Sequence, residues 1–459
     1  MDGLLSETSR CLPLPGVWLR QGKLGICSLP SLLCLSSLLF TLFPRSALAE
    51  DYSFDPSEVE KKPYHFSGYV ELKPVLFGLD TDASLYKLKL YNRNEGDTLT
   101  EYDGTLQLEG SFDYGISRFY GRTNTSYKKS YLGEDQQTTL QEGYLSLKPA
   151  SSFKIDAGKK TLNWGKGYAW NPVAFLDRPK DPDDPELSRE GYAVLSADFI
   201  KSFEAPLKTF SFTPVLLPAS GRLNDDFGTT DHLNVAGKLY FLLYDTDIDL
   251  IYLSNGSKSA RYGFDFSRNI TTTLEVHGEF AWINDYEKQF IDSSGSRFQT
   301  TYDAQNYLMG LRYLTEKETT YIFEYYHNDT GFTSGEMTDY YSFINTGYDA
   351  YLATGNTALL NKASTLTAGN YGRMNPAQDY LYFRISQKEP FDILYFTPAI
   401  TLLENINDKS YSITPELLYT GITNFDIRLR TACISGARNT ESGEKQNDYR
   451  IELMVRYYF

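Results

Sequence analysis

The stretch that ends the printed sequence, residues 449–459, constrains the possible folds more than any other. Its odd positions read Tyr, Ile, Leu, Val, Tyr and Phe, and its even positions read Arg, Glu, Met, Arg and Tyr. Because successive side chains of a strand point to opposite faces, this pattern predicts a strand with one wholly apolar face and one charged face. Taken alone, the pattern also fits an amphipathic strand of a soluble β protein.

Similar alternating stretches recur from residue 64 to the last residue and predict an all-β chain with little helix. One helix is predicted, at 356–364, inside a long loop. Strands are predicted near 64–77, 83–91, 102–114, 116–128, 138–149, 152–162, 191–204, 207–217, 231–245, 247–255, 260–268, 271–285, 301–315, 319–330, 376–388, 396–406, 409–420, 424–435 and 446–459.

The connections between these stretches alternate between short turns and longer loops, with exceptions at 256–259 and 407–408. Such alternation is typical of an up-and-down barrel whose short turns share one end. Counting from 83–91 to 446–459 predicts about 18 strands, with an error of two, and leaves 64–77 unassigned. We expect 446–459 to close the ring against 83–91, with 64–77 as the rival partner.

Composition narrows the class further. Beyond the N-terminal region no segment approaches the ~18 apolar residues that a membrane helix needs. A membrane-spanning form of this chain would therefore be a closed barrel. The 37 Tyr against 4 Trp suit a surface at a membrane interface. The net charge of −15 argues against nucleic acid as a partner.

The N-terminal region has the three parts of a signal peptide. Arg10, Arg20 and Lys23 precede the apolar run 26–43, and Ala47-Leu48-Ala49 offers a cleavage pattern. We predict a cleaved signal peptide over 1–49, a periplasmic lead over 50–63 and one barrel domain over 64–459. Three of the four cysteines lie in 1–49, so we predict no cofactor and no metal site built on cysteine.

An alternating last strand that stops at the aromatic Phe459 resembles the assembly signal of Gram-negative outer-membrane β-barrel proteins. The resemblance implies a closed antiparallel transmembrane up-and-down β-barrel of 16–20 strands in the outer membrane. It also implies two partners, the outer-membrane lipid and the barrel-assembly machinery that reads Phe459. A homo-oligomeric state is left open.

In such a barrel the apolar side chains face lipid and the alternate ones line the lumen. The last two strands would make one arc basic, and the strands near 260–330 would make another acidic. One hypothesis is a field across the pore that orients dipolar solutes, and the other is local pairing of the charges. The charged side chains predicted to line the lumen are Arg261, Asp265, Glu275, His277, Glu279, Glu324, Arg384, Arg428, Arg430, Arg450, Glu452 and Arg456.

Residues 158–172 combine glycines, Asn171-Pro172 and two of the four tryptophans. This stretch is loosely similar to the corresponding part of porin families that include the alginate-export type. The resemblance implies that the loop 163–190 folds into the barrel, and the alternative is a stiff, solvated outer loop. The predicted constriction residues are Trp164, Lys166, Trp170, Asp177, Arg178, Lys180, Asp181, Asp183 and Asp184. The loop 331–375 would lid the pore, face partners or be a tolerant surface loop.

These observations favour a passive outer-membrane channel for small hydrophilic solutes. The alternative is a non-transporting surface or scaffold barrel, and the third reading is an outer-membrane hydrolase. We expect no enzyme, because the sequence lacks the Gly-x-Ser-x-Gly and His-Glu-x-x-His motifs. His277 shares a strand face with Glu275 and Glu279, which suits a metal or proton-relay trio or a solvated lumen histidine.

Overall fold

The computed structural model describes residues 62–93, 96–130 and 133–459. The predicted signal peptide, 1–49, and nearly all of the predicted lead, 50–63, lie outside the described residues. Within the part that is described, no helix has both the length and the apolar character needed to cross a membrane.

The described residues form 18 strands in one sheet, and each strand pairs antiparallel with the next in sequence. The predicted all-β barrel and its strand count are confirmed. In chain order the strands are β1 Tyr64–Leu79, β2 Thr98–Tyr114, β3 Ser117–Ser130, β4 Gly133–Ala150, β5 Phe153–Lys160, β6 Tyr192–Ser202, β7 Leu207–Ala219, β8 His232–Leu243, β9 Thr246–Leu253, β10 Arg261–Asn269, β11 Leu274–Ile291, β12 Arg297–Leu314, β13 Thr319–Asn328, β14 Asp379–Gln387, β15 Phe396–Asn405, β16 Ser410–Ile422, β17 Phe425–Ser435 and β18 Asn447–Tyr458.

The ring closes between the first and last of these strands. On one edge, β1 pairs antiparallel with β18, placing Tyr69 opposite Tyr458 and Leu76 opposite Ile451. On its other edge, β1 pairs with β2 along almost its whole length. The sequence-based choice of 83–91 as the closing strand is therefore wrong, and the rival stretch 64–77 takes that place.

The stretch that was predicted as a strand at 83–91 is instead the short helix α1, Ser84–Leu90. A short apolar run cannot be assigned to strand or helix by periodicity alone. Here Leu88 and Leu90 are buried, and the Ser84 amide donates a hydrogen bond to Glu444 from the β17–β18 connection. Tertiary packing at this end of the barrel thus decides in favour of a helix.

The predicted alternation of turn length is confirmed. At one end of the barrel the connections are mostly two to four residues, as at 115–116 and 423–424. The β14–β15 connection, 388–395, is longer and includes the short 3-10 helix Pro390–Asp392. The longest connections, 161–191 and 329–378, are both at the opposite end.

The connection 329–378, which we call the cap, contains the helices α2, Ser334–Thr354, and α3, Ala358–Leu366. Helix α3 confirms the predicted helix at 356–364, whereas α2 was not predicted. The sequence did contain its start, because Thr333 and Glu336 form a reciprocal capping box in which each side chain accepts the other's backbone N–H. The cap also packs on α1, with Asn345 donating a hydrogen bond to the Ser84 hydroxyl.

The outer face of the barrel is apolar and the inner face is polar. Side chains such as Tyr262, Trp282, Phe323 and Leu453 are exposed, whereas the charged alternates between them are buried or half-buried. This is the arrangement that alternation along each strand predicts for a barrel with a lipid-facing outer surface.

Candidate constriction site

The connection 161–191, which we call the inward segment, lies inside the ring. Its side chains contact widely separated strands: Lys166 lies 3.0 Å from Asp249 on β9, and Asp184 lies 3.0 Å from Arg428 on β17. Asp249 and Arg428 both lie within their strands and not at the loop ends, so a segment that contacts both side chains lies inside the ring. The predicted inward path of 163–190 is confirmed.

Glu279 on β11 anchors the first turn of the inward segment. Its carboxylate accepts hydrogen bonds from the backbone N–H groups of Lys166 at 2.6 Å, Gly167 at 2.7 Å and Val173 at 3.2 Å, and from the Asn171 side chain at 2.9 Å. A segment without helix or sheet must find acceptors for its buried N–H groups elsewhere. Glu279 supplies them from the barrel wall.

The contact with Glu279 also explains why residue 165 is a glycine. Gly165 has φ +95°, and a Cβ at this position would lie 2.7 Å from a carboxylate oxygen of Glu279. Glycine is the residue that tolerates both the left-handed backbone and the close approach.

Glu324 on β13 is the second wall anchor. Its carboxylate accepts hydrogen bonds from the backbone N–H groups of Tyr168 and, at 2.8 Å, Ala169. The same carboxylate lies 2.9 Å from His277 Nε2, whereas Glu275 lies 3.8 Å from His277 Nδ1. Of the predicted trio, Glu279 therefore binds the inward segment, while His277 contacts the second anchor.

Two charged residues of the inward segment satisfy its own backbone. Asp177 accepts hydrogen bonds from the N–H groups of Leu162 at 2.8 Å and Trp164 at 3.1 Å. Lys180 donates to the Gly167 carbonyl at 2.7 Å and the Tyr168 carbonyl at 3.1 Å. Burial, together with the nearby Arg189, lowers the pKa of Lys180 below its usual value. Both residues hold the shape of the segment.

The two tryptophans of the inward segment are also packing residues. Trp164 is buried in a cluster that includes Val173 and Leu217, and Trp170 stacks on Tyr326 with ring centres 5.2 Å apart. They pack the segment against the wall, Trp164 before the turn that Glu279 binds and Trp170 within it.

An acidic row crosses β9, β10 and β11 at one level. Asp249 is opposite Asp265, and Asp265 is opposite Glu279. All three side chains are buried. Lys166 Nζ lies 3.0 Å from Asp249 and 3.9 Å from Asp265, and Lys238 Nζ lies 3.7 Å from Asp249, so these two lysines supply positive charge to the row. Over the described residues, no group of three or more His, Cys, Asp or Glu side chains is arranged to hold a metal ion.

The predicted basic arc on the last strands is extensively ion-paired. Arg430 bonds Glu416 at 2.9 Å and Glu452 at 3.2 Å, and Arg428 bonds Asp184 at 3.0 Å. Three further arginines pair in the same way: Arg384 with Glu416 at 2.8 Å, Arg450 with Asp183 at 3.4 Å, and Arg456 with Glu71 at 2.6 Å. Of the two hypotheses for these charges, this geometry favours local pairing.

Neighbouring aspartates of the inward segment are in contrasting environments. Burial alone would raise the pKa of Asp184, but Arg428 and Arg430 outweigh burial and hold that pKa below its usual value. Burial, reinforced by Asp183, raises the pKa of Asp181. Asp184 is therefore a firm ion-pair partner, whereas Asp181 is a carboxylate that the fold does not neutralise.

The remaining predicted residues, Arg178 and Arg261, lie near the loop end of the barrel. Arg178 pairs with Asp226 at 2.6 Å, and the Arg261 guanidinium lies 6.0 Å from the ring centre of Phe175 in the inward segment. These two residues are a separate pair at the loop end, apart from the two wall anchors with His277, the acidic row with Lys166 and the paired arginines.

Sequence reasoning missed several residues of the site. Glu416, Asp249 and Glu71 neutralise predicted residues, and Asn171 binds Glu279. Strand alternation could have placed Glu416 on the inner face, because Ser410, Ser412 and Thr414 precede it at alternate positions.

A cavity of about 330 Å³ separates the cap from the inward segment. Asp181 and Asp183 line it from one side, and Tyr340, Tyr341 and Arg373 line it from the other. The ion pair between Asp183 and Arg450 is therefore next to open space on the loop side.

No protein-family model matches the chain, and no curated protein matches it. Solved structures that resemble it include OpdQ of Pseudomonas aeruginosa, with 11% identity and a TM-score of 0.48 over 86% of this chain and 97% of that one. OccK5 (OpdH) of the same organism is 13% identical, with a TM-score of 0.47 over 86% of this chain and 98% of that one. A Rhodopseudomonas blastica porin mutant is 9% identical, with a TM-score of 0.41 over 86% of this chain and 100% of that one. At these levels no solute, partner or activity of those proteins transfers to this chain.

Proposed function

We propose that this protein is a passive outer-membrane channel for small hydrophilic solutes in a Gram-negative bacterium. The observation that carries the proposal is the inward segment, which narrows a closed ring that is polar inside and apolar outside. A barrel that only had to fill its interior would not need charged residues there, because apolar side chains pack with less desolvation cost.

Within this proposal the ion pairs between the inward segment and the last strands form the narrowest part of the route. Asp183 and Asp184 neutralise Arg450 and Arg428 there. We infer that passage selects on the balance between these two aspartates and the arginines that they face. The remaining lumen-facing charges solvate the route on both sides of it.

Planar-bilayer recording of the refolded protein tests the proposal. We expect discrete open steps for the wild type. We expect the double variant Asp183→Asn, Asp184→Asn to shift the permeability ratio several-fold towards anions, because it exposes the arginine charge.

A matched control is the double variant Asp113→Asn, Asp245→Asn. These two aspartates also form ion pairs, with Arg118 and Lys208, but they lie at the short-turn end. It should leave the permeability ratio unchanged. A silent wild-type barrel, or equal shifts in both double variants, would contradict the proposed route.

The second candidate is a sealed surface or scaffold barrel. It is favoured by the cap, which connects β13 and β14 and yet packs on α1 between β1 and β2. The cap therefore extends across part of the mouth. Silent bilayers from a correctly refolded wild type would favour this second candidate.

Location and partners belong to the same proposal. The exposed apolar side chains of the strands would face outer-membrane lipid. Phe459 would be read by the barrel-assembly machinery, and in the folded ring its N–H donates to the Gly68 carbonyl at 3.0 Å. The likeness of 158–172 to alginate-export-type porins stays a prediction, as does a homo-oligomeric state.

A further inference from the structure

Three cationic side chains lie over buried aromatic rings near the loop end of the barrel. They come from three parts of the chain: the inward segment, the β9–β10 connection and the start of β10. The pairs are Arg178 over Tyr192 at 4.4 Å, Lys258 over Phe227 at 3.9 Å, and Arg261 over Phe175 at 6.0 Å, measured to the ring centres.

The three rings belong to one buried cluster, and Tyr192 meets Phe227 edge to face at 5.1 Å. A ring face attracts a cation, but it neutralises no charge. The positive charges of Arg178, Lys258 and Arg261 therefore need acidic partners or a bound anion.

The carboxylates at this place are insufficient. Arg178 pairs with Asp226 at 2.6 Å and approaches Glu190 at 3.6 Å. Among the described residues, neither Lys258 nor Arg261 forms an ion pair, and Asp226, the one carboxylate that acts on Lys258, is already paired. Two cations are thus left without a counter-charge of their own.

Arg261 carries a second sign of a missing ligand. Its Nε is buried and has no acceptor among the described residues. Leaving a buried donor unsatisfied destabilises the folded state, and more so when the group is charged. Both Arg261 and Lys258 nevertheless remain partly exposed, so a small solute can reach them.

We propose that Lys258 and Arg261 bind a small oxyanion. The Nε–H of Arg261 supplies the free donor, and a guanidinium edge offers two parallel N–H groups that match two oxygens of one anion. The ammonium of Lys258 supplies the second charge. The site goes beyond the proposed channel function, because it needs the folded loop end and no open pore.

The state of Lys258 gives the site a direct readout. Burial, followed by repulsion from Arg261, lowers the pKa of Lys258 to about 7. An anion that binds the charged form better than the neutral form must raise this pKa, and a tenfold preference raises it by about one unit.

The test is an NMR titration of lysine side chains in the refolded protein, with inorganic sulfate against chloride at equal ionic strength. We expect sulfate to raise the pKa of Lys258 by about one unit, saturably, and chloride to leave it unchanged. Lys258→Met assigns the signal. Lys201, which lies over the Phe203 ring at 4.9 Å but is exposed, is the matched internal control and should respond to neither salt.

The variant Arg261→Met distinguishes binding of sulfate at this site from general ionic screening of the Lys258 charge. It should raise the pKa of Lys258 in chloride, because a repelling charge is gone, and abolish the sulfate response. An unchanged Lys258 pKa in sulfate, or equal shifts in Lys258 and Lys201, would overturn the site. If Arg261→Met does not refold, sulfate should still raise the melting temperature of the wild type more than that of Lys258→Met, and equal increases would overturn the site as well.

Discussion

The inward segment and the cap are the two longest connections of the barrel, and both leave from the same end, but they are stabilised in opposite ways. The inward segment, 161–191, has no helix or strand among its residues, and several of its N–H groups donate to the carboxylates of Glu279, Glu324 and Asp177. The cap, 329–378, satisfies its backbone within α2 and α3 and packs around its own aromatic rings.

The difference shows which residues each connection depends on. Irregular chain inside a barrel borrows acceptors from the wall, so the wall carboxylates belong to the fold of the inward segment. The helices of the cap carry their own hydrogen bonds, so the cap depends on its apolar packing. Among the described residues, the two regions share a hydrogen bond from Trp170 Nε1 to the Asn375 side chain at 3.2 Å, and Ala377 of the cap belongs to the same apolar cluster as Ala169 and Trp170. The rest of each region is held by its own contacts. We therefore expect that a substitution that unfolds one region leaves the other region folded.

Glu279→Ala is expected to have the largest effect on the stability of the inward segment. Each buried donor that it leaves without an acceptor costs about 1–3 kcal/mol, and Glu279 serves three backbone N–H groups. Hydrogen exchange should become fast over 163–173 and stay slow over 334–354, and channel conductance should rise. Glu275→Ala, on the same face of β11, is the control. Protection of 163–173 in the Glu279 variant would show that the wall does not hold the segment.

Tyr371→Ala is the converse substitution in the cap. Tyr371 stacks on Phe332 at 4.1 Å and on Tyr340 at 4.2 Å between ring centres. Truncating a large buried aromatic costs about 3–5 kcal/mol. Exchange should accelerate in α2 and α3, while 163–173 keeps its protection. Leu352→Ala, at an exposed position of α2, should change neither region. Simultaneous loss of protection in both regions would mean that they are coupled.

Acid should break the ion pairs of Asp184 in the inward segment only at low pH. The pKa of Asp184 is lowered, since Arg428 and Arg430 outweigh burial. A lowered carboxyl pKa contributes stability that is full above the unfolded value of about 3.9 and is lost as the pH falls through the folded value. Ion selectivity should therefore hold from pH 7 down to about pH 4 and shift towards anions below it. A shift centred near pH 5 or 6 would contradict the assigned ion pair.

Asp181→Asn is expected to have the smallest effect on the stability of the protein. The pKa of Asp181 is raised by burial and by Asp183, so the folded state binds this proton more tightly than the unfolded state. Ionising Asp181 therefore destabilises the folded state. This destabilisation is absent in acid, grows as the pH rises from the unfolded towards the folded pKa, and is complete at neutral pH. Asp181→Asn should stabilise the protein by less than about 1 kcal/mol at pH 7. Asp183→Asn, which removes an ion pair, should give no stabilisation.

Most of the barrel could be predicted because alternation along a strand is a local property of the sequence. It located nearly every strand and the two faces of each, but it could not choose between 64–77 and 83–91, because that choice depends on which edge β18 meets. Alternation also places Glu279 and Glu324 on the inner face without telling what lies opposite them. The contact between Asp184 and Arg428 joins residues 244 positions apart, and no local pattern contains that information.

The pairing of β1 with β18 is the contact that closes the sheet into a ring. Its ion pair between Glu71 and Arg456 joins residues 385 positions apart, so ring closure needs two strands that are far apart along the chain to meet, and contacts of this kind form slowly. Until that step, both strands present unpaired edges that can recruit other chains. Losing the last strand would therefore leave a barrel that is open along its whole length and prone to aggregate, and not a slightly smaller barrel.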